Sequence, residues 1–251
     1  MGLRRILKTY FYKNKFKKNQ YSIDFKRKNI LVTGSNSGIG LALTKKLLNL
    51  ENNVFGIFNK NSNNLDQIKN HNFKKIKCDL KNIHNYEEIE KNLKNINIDI
   101  VFNCAGLFGG SFDEQTIENL SFKNFNDVLM VNSLSIIKIM QILLKNSQPE
   151  IVVNISSEAG SIKQNKSGDA YIYRTSKSAL NSITKNMSLD LNKKFGTTVI
   201  AIDPGNVATN MNPKGIIESQ ECANLILDLI SNDVKKLNGK FINLLSQEQA
   251  W

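Results

Sequence analysis

Short apolar runs recur along the chain, and each is followed by small or polar residues and then by a stretch with helical spacing. Ile30-Leu31-Val32 is typical of a strand that is buried on both faces of a parallel sheet. The predicted strands cover residues 30–32, 54–58, 74–80, 99–106, 150–157, 197–202 and 240–244. Helical patterns occupy 41–48, 84–95, 121–146, the segment around Tyr173 and Lys177, and 218–231. This alternation predicts an α/β fold, a doubly wound parallel sheet in a single domain.

A glycine-rich turn follows the first strand, with the sequence Thr33-Gly-Ser-Asn-Ser-Gly-Ile-Gly40. A strand, a glycine turn and a helix bring free backbone N–H groups and a positive helix end together, which is a site for a diphosphate. Glycines allow the backbone to approach such a ligand closely. The turn therefore predicts a dinucleotide site, although its Gly-x-x-x-Gly-x-Gly spacing differs from the commoner Gly-x-Gly-x-x-Gly.

The ends of the second and third strands bear on the choice of dinucleotide. An acid at the end of the second strand would bind the ribose of NAD and repel the extra phosphate of NADP. This chain has Asn59 and Lys60 there, which favours NADP. Asp79 follows the third strand, where its carboxylate could bind the adenine amino group or simply form a turn.

Tyr173 and Lys177 lie four residues apart, so they share one face of a helix. A phenol has an ordinary pKa of about 10. A nearby ammonium stabilises the phenolate and a bound oxidised nicotinamide would add a second positive charge, so that proton exchange with a carbonyl or hydroxyl is expected to become accessible. Ser157 follows the fifth strand, and its hydroxyl could donate to the same oxygen. Asn132 lies in the apolar sequence Val-Leu-Met-Val-Asn, where a buried amide must be hydrogen-bonded. Tyr171 has Thr175 four residues beyond it and no cation.

Together these motifs resemble the short-chain dehydrogenase/reductase family over residues 29–251, and more narrowly its C-factor/sniffer branch. The motifs are Thr33 to Gly40, Asn103-Cys-Ala-Gly106, Asn132, Ser157, Tyr173-x-x-x-Lys177 and Pro204-Gly205. The resemblance implies a Rossmann-type fold and an NAD(P)-dependent carbonyl reductase or alcohol dehydrogenase.

The resemblance also implies a role for each matching residue. Tyr173 would be the general acid/base, Lys177 would hold the nicotinamide ribose, and Ser157 would orient the carbonyl. Asn132 would support a water relay to Lys177. The implied cofactor contacts are Gly34, Ser35, Ser37, Gly38, Ile39, Gly40, Asn59, Lys60, Asp79, Asn103, Ala105, Gly106, Tyr173, Lys177, Pro204, Gly205, Val207 and Thr209. The competing interpretation is a nucleotide-binding signalling or scaffold protein that keeps the fold without significant catalysis.

The net charge of +12 is concentrated before the first strand. Residues 1–28 form a basic extension with ten Lys or Arg against one acid, Asp24. Within residues 1–22 the apolar positions Leu3, Ile6, Leu7 and Tyr10 share one helical face. A membrane-surface anchor, a targeting peptide, a partner-binding arm and a solvated extension all remain open for it. Because the basic residues do not continue over the folded body, nucleic acid is disfavoured as a partner.

Hydropathy and the cysteine and histidine content indicate the cellular location and the ligands to expect. No apolar stretch approaches the roughly 20 residues of a membrane span, and three scattered cysteines fit a reducing compartment. We therefore expect a soluble, cytoplasmic protein. The cysteines and the two histidines show no metal-ligand spacing, so no metal site is predicted. A small-molecule carbonyl or alcohol is the expected partner, and helices such as 121–146 pair across a homodimer in the family that the chain resembles.

Overall fold

The computed structural model describes residues 25–60, 62–231 and 234–251. The expectations for residues 1–22, including the amphipathic helix and its membrane contact, lie outside the described residues. Of the predicted basic extension, only residues 25–28 are described.

Seven parallel strands form the main sheet. They are β1 (Asn29–Thr33), β2 (Asn53–Phe58), β3 (Phe73–Lys77), β4 (Ile100–Asn103), β5 (Ile151–Ile155), β6 (Thr198–Asp203) and β9 (Phe241–Asn243). Their order across the sheet is β3-β2-β1-β4-β5-β6-β9. Two short strands, β7 (Val207–Ala208) and β8 (Ile217–Glu218), pair separately. All seven predicted strands are present, and the doubly wound parallel fold is confirmed.

Helices cover both faces of this sheet. They are α1 (Gly38–Asn49), α2 (Asn63–Asp66), α3 (Glu87–Leu93), α4 (Phe125–Leu129), α5 (Ser135–Leu143), α6 (Tyr171–Phe195) and α7 (Ser219–Ser231). Along β1, Ile30 and Val32 point into one apolar core and Leu31 into the other, because successive side chains of a strand face opposite sides. The first core packs against α1 and α7, and the second against α3 and α5.

The long helix predicted over 121–146 is divided into segments. A 3-10 turn at Phe122–Asn124 leads into α4, and a π-helical segment at Met130–Leu134 separates α4 from α5. Among the described residues, Phe122–Leu143 is nevertheless long and apolar enough, by length and composition, to cross a membrane, contrary to the expectation from the sequence. Its apolar window is 56% buried inside the fold, as in a core helix.

Candidate active site

A cleft of about 1210 Å³ runs along the edge of the sheet where the parallel strands end. The loops after β1 to β6 all contribute to it, as expected of ligand sites in open α/β sheets. Most of the residues singled out from the sequence line this cleft: Gly34, Ser37, Gly38, Ile39, Gly40, Asn59, Lys60, Asp79, Ala105, Gly106, Ser157, Tyr173, Lys177, Pro204, Gly205, Val207 and Thr209.

Ser35 and Asn103, which belong to the predicted set of cofactor contacts, do not line the cleft. The Ser35 side chain is fully buried, and its N–H and hydroxyl both donate to the Ile57 carbonyl, at 3.1 and 3.0 Å. Asn103 Nδ2 donates to Asn154 Oδ1 at 2.8 Å in the interior. Both side chains are therefore bonded in the interior behind the cleft, and the cofactor contacts predicted for these two residues stay a prediction.

The glycine turn forms a backbone cradle at the start of α1. The first turn of this helix is Gly38-Ile-Gly-Leu41, and Ser37 precedes it in an extended conformation. Gly34, with φ 66°, lies so close to the loop after β4 that a Cβ would approach Ala105 Cα to 2.8 Å. Gly40 packs directly against the Gly34 carbonyl. The positive end of α1 therefore opens into the cleft, and this backbone cradle fits the diphosphate of a dinucleotide.

An ion pair closes the side of the cleft next to the third strand. Lys81 Nζ lies 3.2 Å from an Asp127 oxygen and 3.9 Å from Asp79 Oδ2. The Lys81 N–H also donates to Asp79 Oδ1 at 3.1 Å, so Asp79 does form a turn. Lys81 and Asp127 were not identified from the sequence, since 46 residues separate them and neither belongs to a motif. Asn59 and Lys60 line the same cleft.

Tyr173 and Lys177 face each other on the first turns of α6. Lys177 Nζ lies 5.8 Å from the centroid of the Tyr173 ring, and it donates a 2.8 Å hydrogen bond to the Ile155 carbonyl oxygen. Lys177 is only 4% exposed. The carbonyl at the end of β5 thus holds the ammonium beside the phenol.

Burial dominates the acid–base properties of this pair. Removal of the Tyr173 phenol from water raises its pKa to about 12, although hydrogen bonding to Ser157 lowers it and the Asp203 charge raises it further. Burial also lowers the pKa of Lys177 to about 8. Within the protein the expected lowering of the phenol's pKa is therefore not found, because burial outweighs the hydrogen bond to Ser157. The further lowering expected from the positive charge of a bound oxidised nicotinamide stays a prediction.

Asn132 lies in the π-helical segment, behind the cleft wall. Its Oδ1 accepts from the Leu107 N–H at 2.7 Å, and its Nδ2 donates to the Leu107 carbonyl and to Ser176 Oγ, both at 2.9 Å. The buried amide is therefore fully bonded, and it ties the loop after β4 to α6. Its predicted support of a water relay to Lys177 stays a prediction.

An apolar wall borders Tyr173 in the cleft. The Phe108 ring packs on the Tyr173 ring with centroids 5.2 Å apart, and Phe112 stacks on Phe108 at 6.2 Å. Leu107 and Met211 complete this wall. Sequence reasoning missed these residues, because a loop that follows a strand has no periodicity that marks its apolar side chains as a pocket.

Fold, cradle and tyrosine–lysine pair together define a dinucleotide-binding α/β oxidoreductase, and comparison with known proteins agrees. The family model for the short chain dehydrogenase matches residues 28–218. The C-signal of Myxococcus xanthus is 26% identical over 158 residues, which are 61% of this chain and 93% of that protein.

Two solved structures share the fold over the whole of their chains. The carbonyl reductase Sniffer of D. melanogaster is 30% identical with a TM-score of 0.80, and 90% of this chain and 100% of that one are covered. An NADPH-bound carbonyl reductase from chicken fatty liver is 27% identical with a TM-score of 0.78, at the same coverage. The chain belongs to the short-chain dehydrogenase/reductase family and is an NAD(P)-dependent oxidoreductase.

Proposed function

We propose that this protein reduces an uncharged aldehyde or ketone with NADPH, with Tyr173 as the proton donor. The observation that carries the proposal is the placement of the Tyr173 phenol and the buried Lys177 ammonium in the same cleft as the glycine cradle. The cofactor supplies the hydride, and the protein supplies geometry and charge.

The protonation states favour the reductive direction. A phenol with a pKa of about 12 keeps its proton at neutral pH, so Tyr173 is ready to donate it to the oxygen of a carbonyl. Lys177, with a pKa of about 8, remains largely cationic at pH 7 and stabilises the phenolate that forms. Ser157, which is hydrogen-bonded to the phenol, is suited to orient the same carbonyl oxygen.

The lining next to Tyr173 supports a substrate with an apolar body. Phe108, Phe112, Leu107 and Met211 form this part of the cleft. The charged side chains of the lining other than Lys177, namely Lys60, Asp79, Lys81 and Asp127, all follow β2 or β3 or belong to α4. Among the described residues of this lining, a carboxylate or phosphate on the substrate would have only Lys177 to pair with, and burial of a poorly paired charge is costly.

The preference for NADPH rests on the residues after β2. Asn59 and Lys60 line the cleft where an acid would repel a ribose phosphate, and Lys60 is an exposed cation. The NADPH carried by the chicken reductase, which is 27% identical, supports the same choice.

Substitution of Tyr173 tests the function directly. With NADPH and 4-nitrobenzaldehyde as the probe, Tyr173→Phe should lower kcat by about 10²- to 10⁴-fold, since it removes the proton donor. The dissociation constant for NADPH, measured by fluorescence titration, should stay within about twofold. Tyr171→Phe is the matched control, because it removes a phenol two residues away that is 42% exposed, and it should keep full activity.

A second candidate is cofactor binding without turnover, and one observation favours it. Burial raises the pKa of Tyr173 to about 12, which makes the phenol a weaker acid and a slower proton donor than an ordinary tyrosine. Tight NADPH binding with no turnover of a broad panel of aldehydes, ketones and quinones, and equal behaviour of Tyr173→Phe, would replace the reductase proposal with this one.

A further inference from the structure

The helix that carries Tyr173 begins without a local cap. Ala170 precedes α6 with left-handed backbone angles, φ 49° and ψ 41°, and its methyl group can accept no hydrogen bond. The first N–H groups of a helix have no acceptor within their own helix. The Arg174 N–H reaches the Ala170 carbonyl at 2.8 Å. The Tyr173 N–H, one residue earlier, needs an acceptor from elsewhere in the chain.

Gln115 supplies that acceptor from a distance of 58 residues along the sequence. Its Oε1 accepts from the Tyr173 N–H at 2.9 Å, and its Nε2 donates to the Phe108 carbonyl oxygen at 2.7 Å. The side chain is 0% exposed. Because a buried amide that loses a partner is costly, both hydrogen bonds fix the distance between the two backbone segments.

The segments that Gln115 joins are the two whose rings meet beside the reacting group. The Phe108 and Tyr173 rings pack at 5.2 Å with an angle of 44° between their planes. One side chain therefore holds the backbone of both ring-bearing residues. A shift of either segment would change where the phenol lies relative to the apolar wall.

Two other amide side chains bond to the same loop. Gln115 differs from them in the group of α6 to which it bonds. Asn132 holds Leu107, and Asn124 Nδ2 donates to the Gly109 carbonyl at 3.3 Å. Three consecutive loop residues are thus each bonded to an amide side chain. Asn132 reaches α6 through Ser176, whereas Gln115 bonds to the Tyr173 backbone itself.

We infer that Gln115 is a positioning residue for the reaction, because it fixes the position of the Tyr173 phenol relative to the Phe108 ring of the apolar wall. We call the pair of hydrogen bonds that Gln115 makes to the Tyr173 N–H and the Phe108 carbonyl the brace. The brace is observed directly, and only its effect on the reaction rate rests on the proposed function. Gln115 does not line the cleft, so it acts through the two residues that it joins.

Amide hydrogen exchange tests, without any substrate, whether Gln115 holds the two segments together. In Gln115→Met, exchange protection of peptides over 107–112 and 171–175 should fall together, roughly three- to tenfold, which is the value of one net hydrogen bond. The control is Asn52→Leu, which removes another fully buried amide that bonds to the Lys28 N–H and the Leu47 carbonyl away from the cleft. It should lower global stability without selective loosening of the two peptides.

A second variant separates the two bonds. Gln115→Glu, measured at a pH at which its carboxyl is ionised, keeps an acceptor for the Tyr173 N–H and loses the donor to the Phe108 carbonyl. Protection over 171–175 should stay near the unaltered level, while 107–112 loosens. This variant also keeps the test decisive if Gln115→Met fails to fold.

Kinetics then show whether the brace serves the reaction. With NADPH and 4-nitrobenzaldehyde, Gln115→Met should lower kcat by roughly 10- to 100-fold, as misplacement of a reacting group does, and leave KM for NADPH within about twofold. Asn52→Leu should change neither constant at a temperature where both variants are folded.

Two results would overturn the inference: loosening of only one peptide in Gln115→Met, or unchanged kcat despite loosening of both. Failure of the proposed function looks different, since the unaltered chain would then turn over no carbonyl. Exchange would in that case still decide whether Gln115 joins the two segments.

Discussion

Lys177 shows how one buried side chain combines a stability cost with a functional role. It is 4% exposed, and burial lowers its pKa from 10.5 to about 8. A charged ammonium that is taken out of water destabilises the folded state, and its hydrogen bond to the Ile155 carbonyl offsets only part of this. Below pH 8, where Lys177 is charged in both the folded and the unfolded chain, its burial therefore lowers the stability of the fold.

Replacement of this lysine by an apolar isostere should expose that cost. Lys177→Met is expected to be more stable than the unaltered chain at pH 7 and to lose turnover. The folded chain binds fewer protons than the unfolded chain between pH 8 and 10.5, so the unaltered protein gains up to about 1.4 kcal/mol per pH unit there. The stability advantage of Lys177→Met should accordingly shrink over this window, as urea unfolding at pH 7, 8 and 9.5 would show.

The control for that experiment is Lys185→Met, which lies on the exposed face of the same helix. It should show no such change of the stability difference with pH. An advantage of Lys177→Met that stays constant from pH 7 to 9.5 would contradict the assignment of the cost to the buried charge.

At the scale of elements, the turn between β1 and α1 depends on close backbone packing. Gly34 lies against Ala105 in the loop after β4, and Gly40 lies against the Gly34 carbonyl. These glycines are needed to bring three backbone segments together. Gly38, with φ 50°, instead faces Thr209 across the cleft, where a Cβ would lie 3.1 Å from Cγ2.

Substitution of Gly40 should reverse the usual effect of glycine in a helix. Gly→Ala inside a helix ordinarily stabilises by roughly 0.5–1 kcal/mol. Gly40→Ala should instead destabilise by about 1–3 kcal/mol, because its Cβ collides with the Gly34 carbonyl, a backbone atom that cannot rotate away. Thermal unfolding followed by circular dichroism measures this, with Lys45→Ala on the exposed face of α1 as control. A stability gain in Gly40→Ala would show that the turn has room.

On the scale of the whole molecule, the cleft collects residues from the ends of six strands. A ligand that binds there binds only the folded chain, so it stabilises the entire domain by mass action. At a concentration of 100 times its Kd, a single ligand adds about 2.7 kcal/mol. The unfolding temperature is therefore a measure of cofactor preference that needs no substrate.

We expect NADPH to raise the unfolding temperature more than the same concentration of NADH. Lys60→Glu should cancel or reverse this order, because a carboxylate beside the ribose repels the extra phosphate and accepts a ribose hydroxyl instead. Lys45→Glu makes the same change of charge on an exposed residue outside the cleft lining and should leave the order unchanged. Equal shifts with both cofactors in the unaltered chain would argue against a preference for NADP.

Local patterns were sufficient for the elements and for the polar residues within motifs. The sequence predicted every strand of the main sheet. The central strands are continuous apolar runs because they are buried on both faces, whereas β3 at the edge of the sheet has three exposed lysines. The four-residue spacing of Tyr173 and Lys177 set them on one face of α6, since helical geometry is itself local. Family membership followed from motifs of this kind, and the family model confirms it.

Only the tertiary structure decided which way side chains face and what they meet. Ser35 and Asn103 belong to motifs that line the cleft, yet they turn inward to bond Ile57 and Asn154. The pKa of Tyr173 moves opposite to expectation, because its value depends on how much water the surrounding elements exclude. Such burial is a property of several distant segments at once, and no local spacing encodes it.

The sequence by itself therefore determined the order of strands and helices, the glycine cradle and the tyrosine–lysine pair. Tertiary structure alone decided the π-helical segment at Met130–Leu134, the Lys81–Asp127 pair and the brace that Gln115 forms between Phe108 and Tyr173. The physical reason is one of range. Periodicity is set by neighbours a few residues apart, whereas a hydrogen bond across 58 residues exists only once the chain has packed.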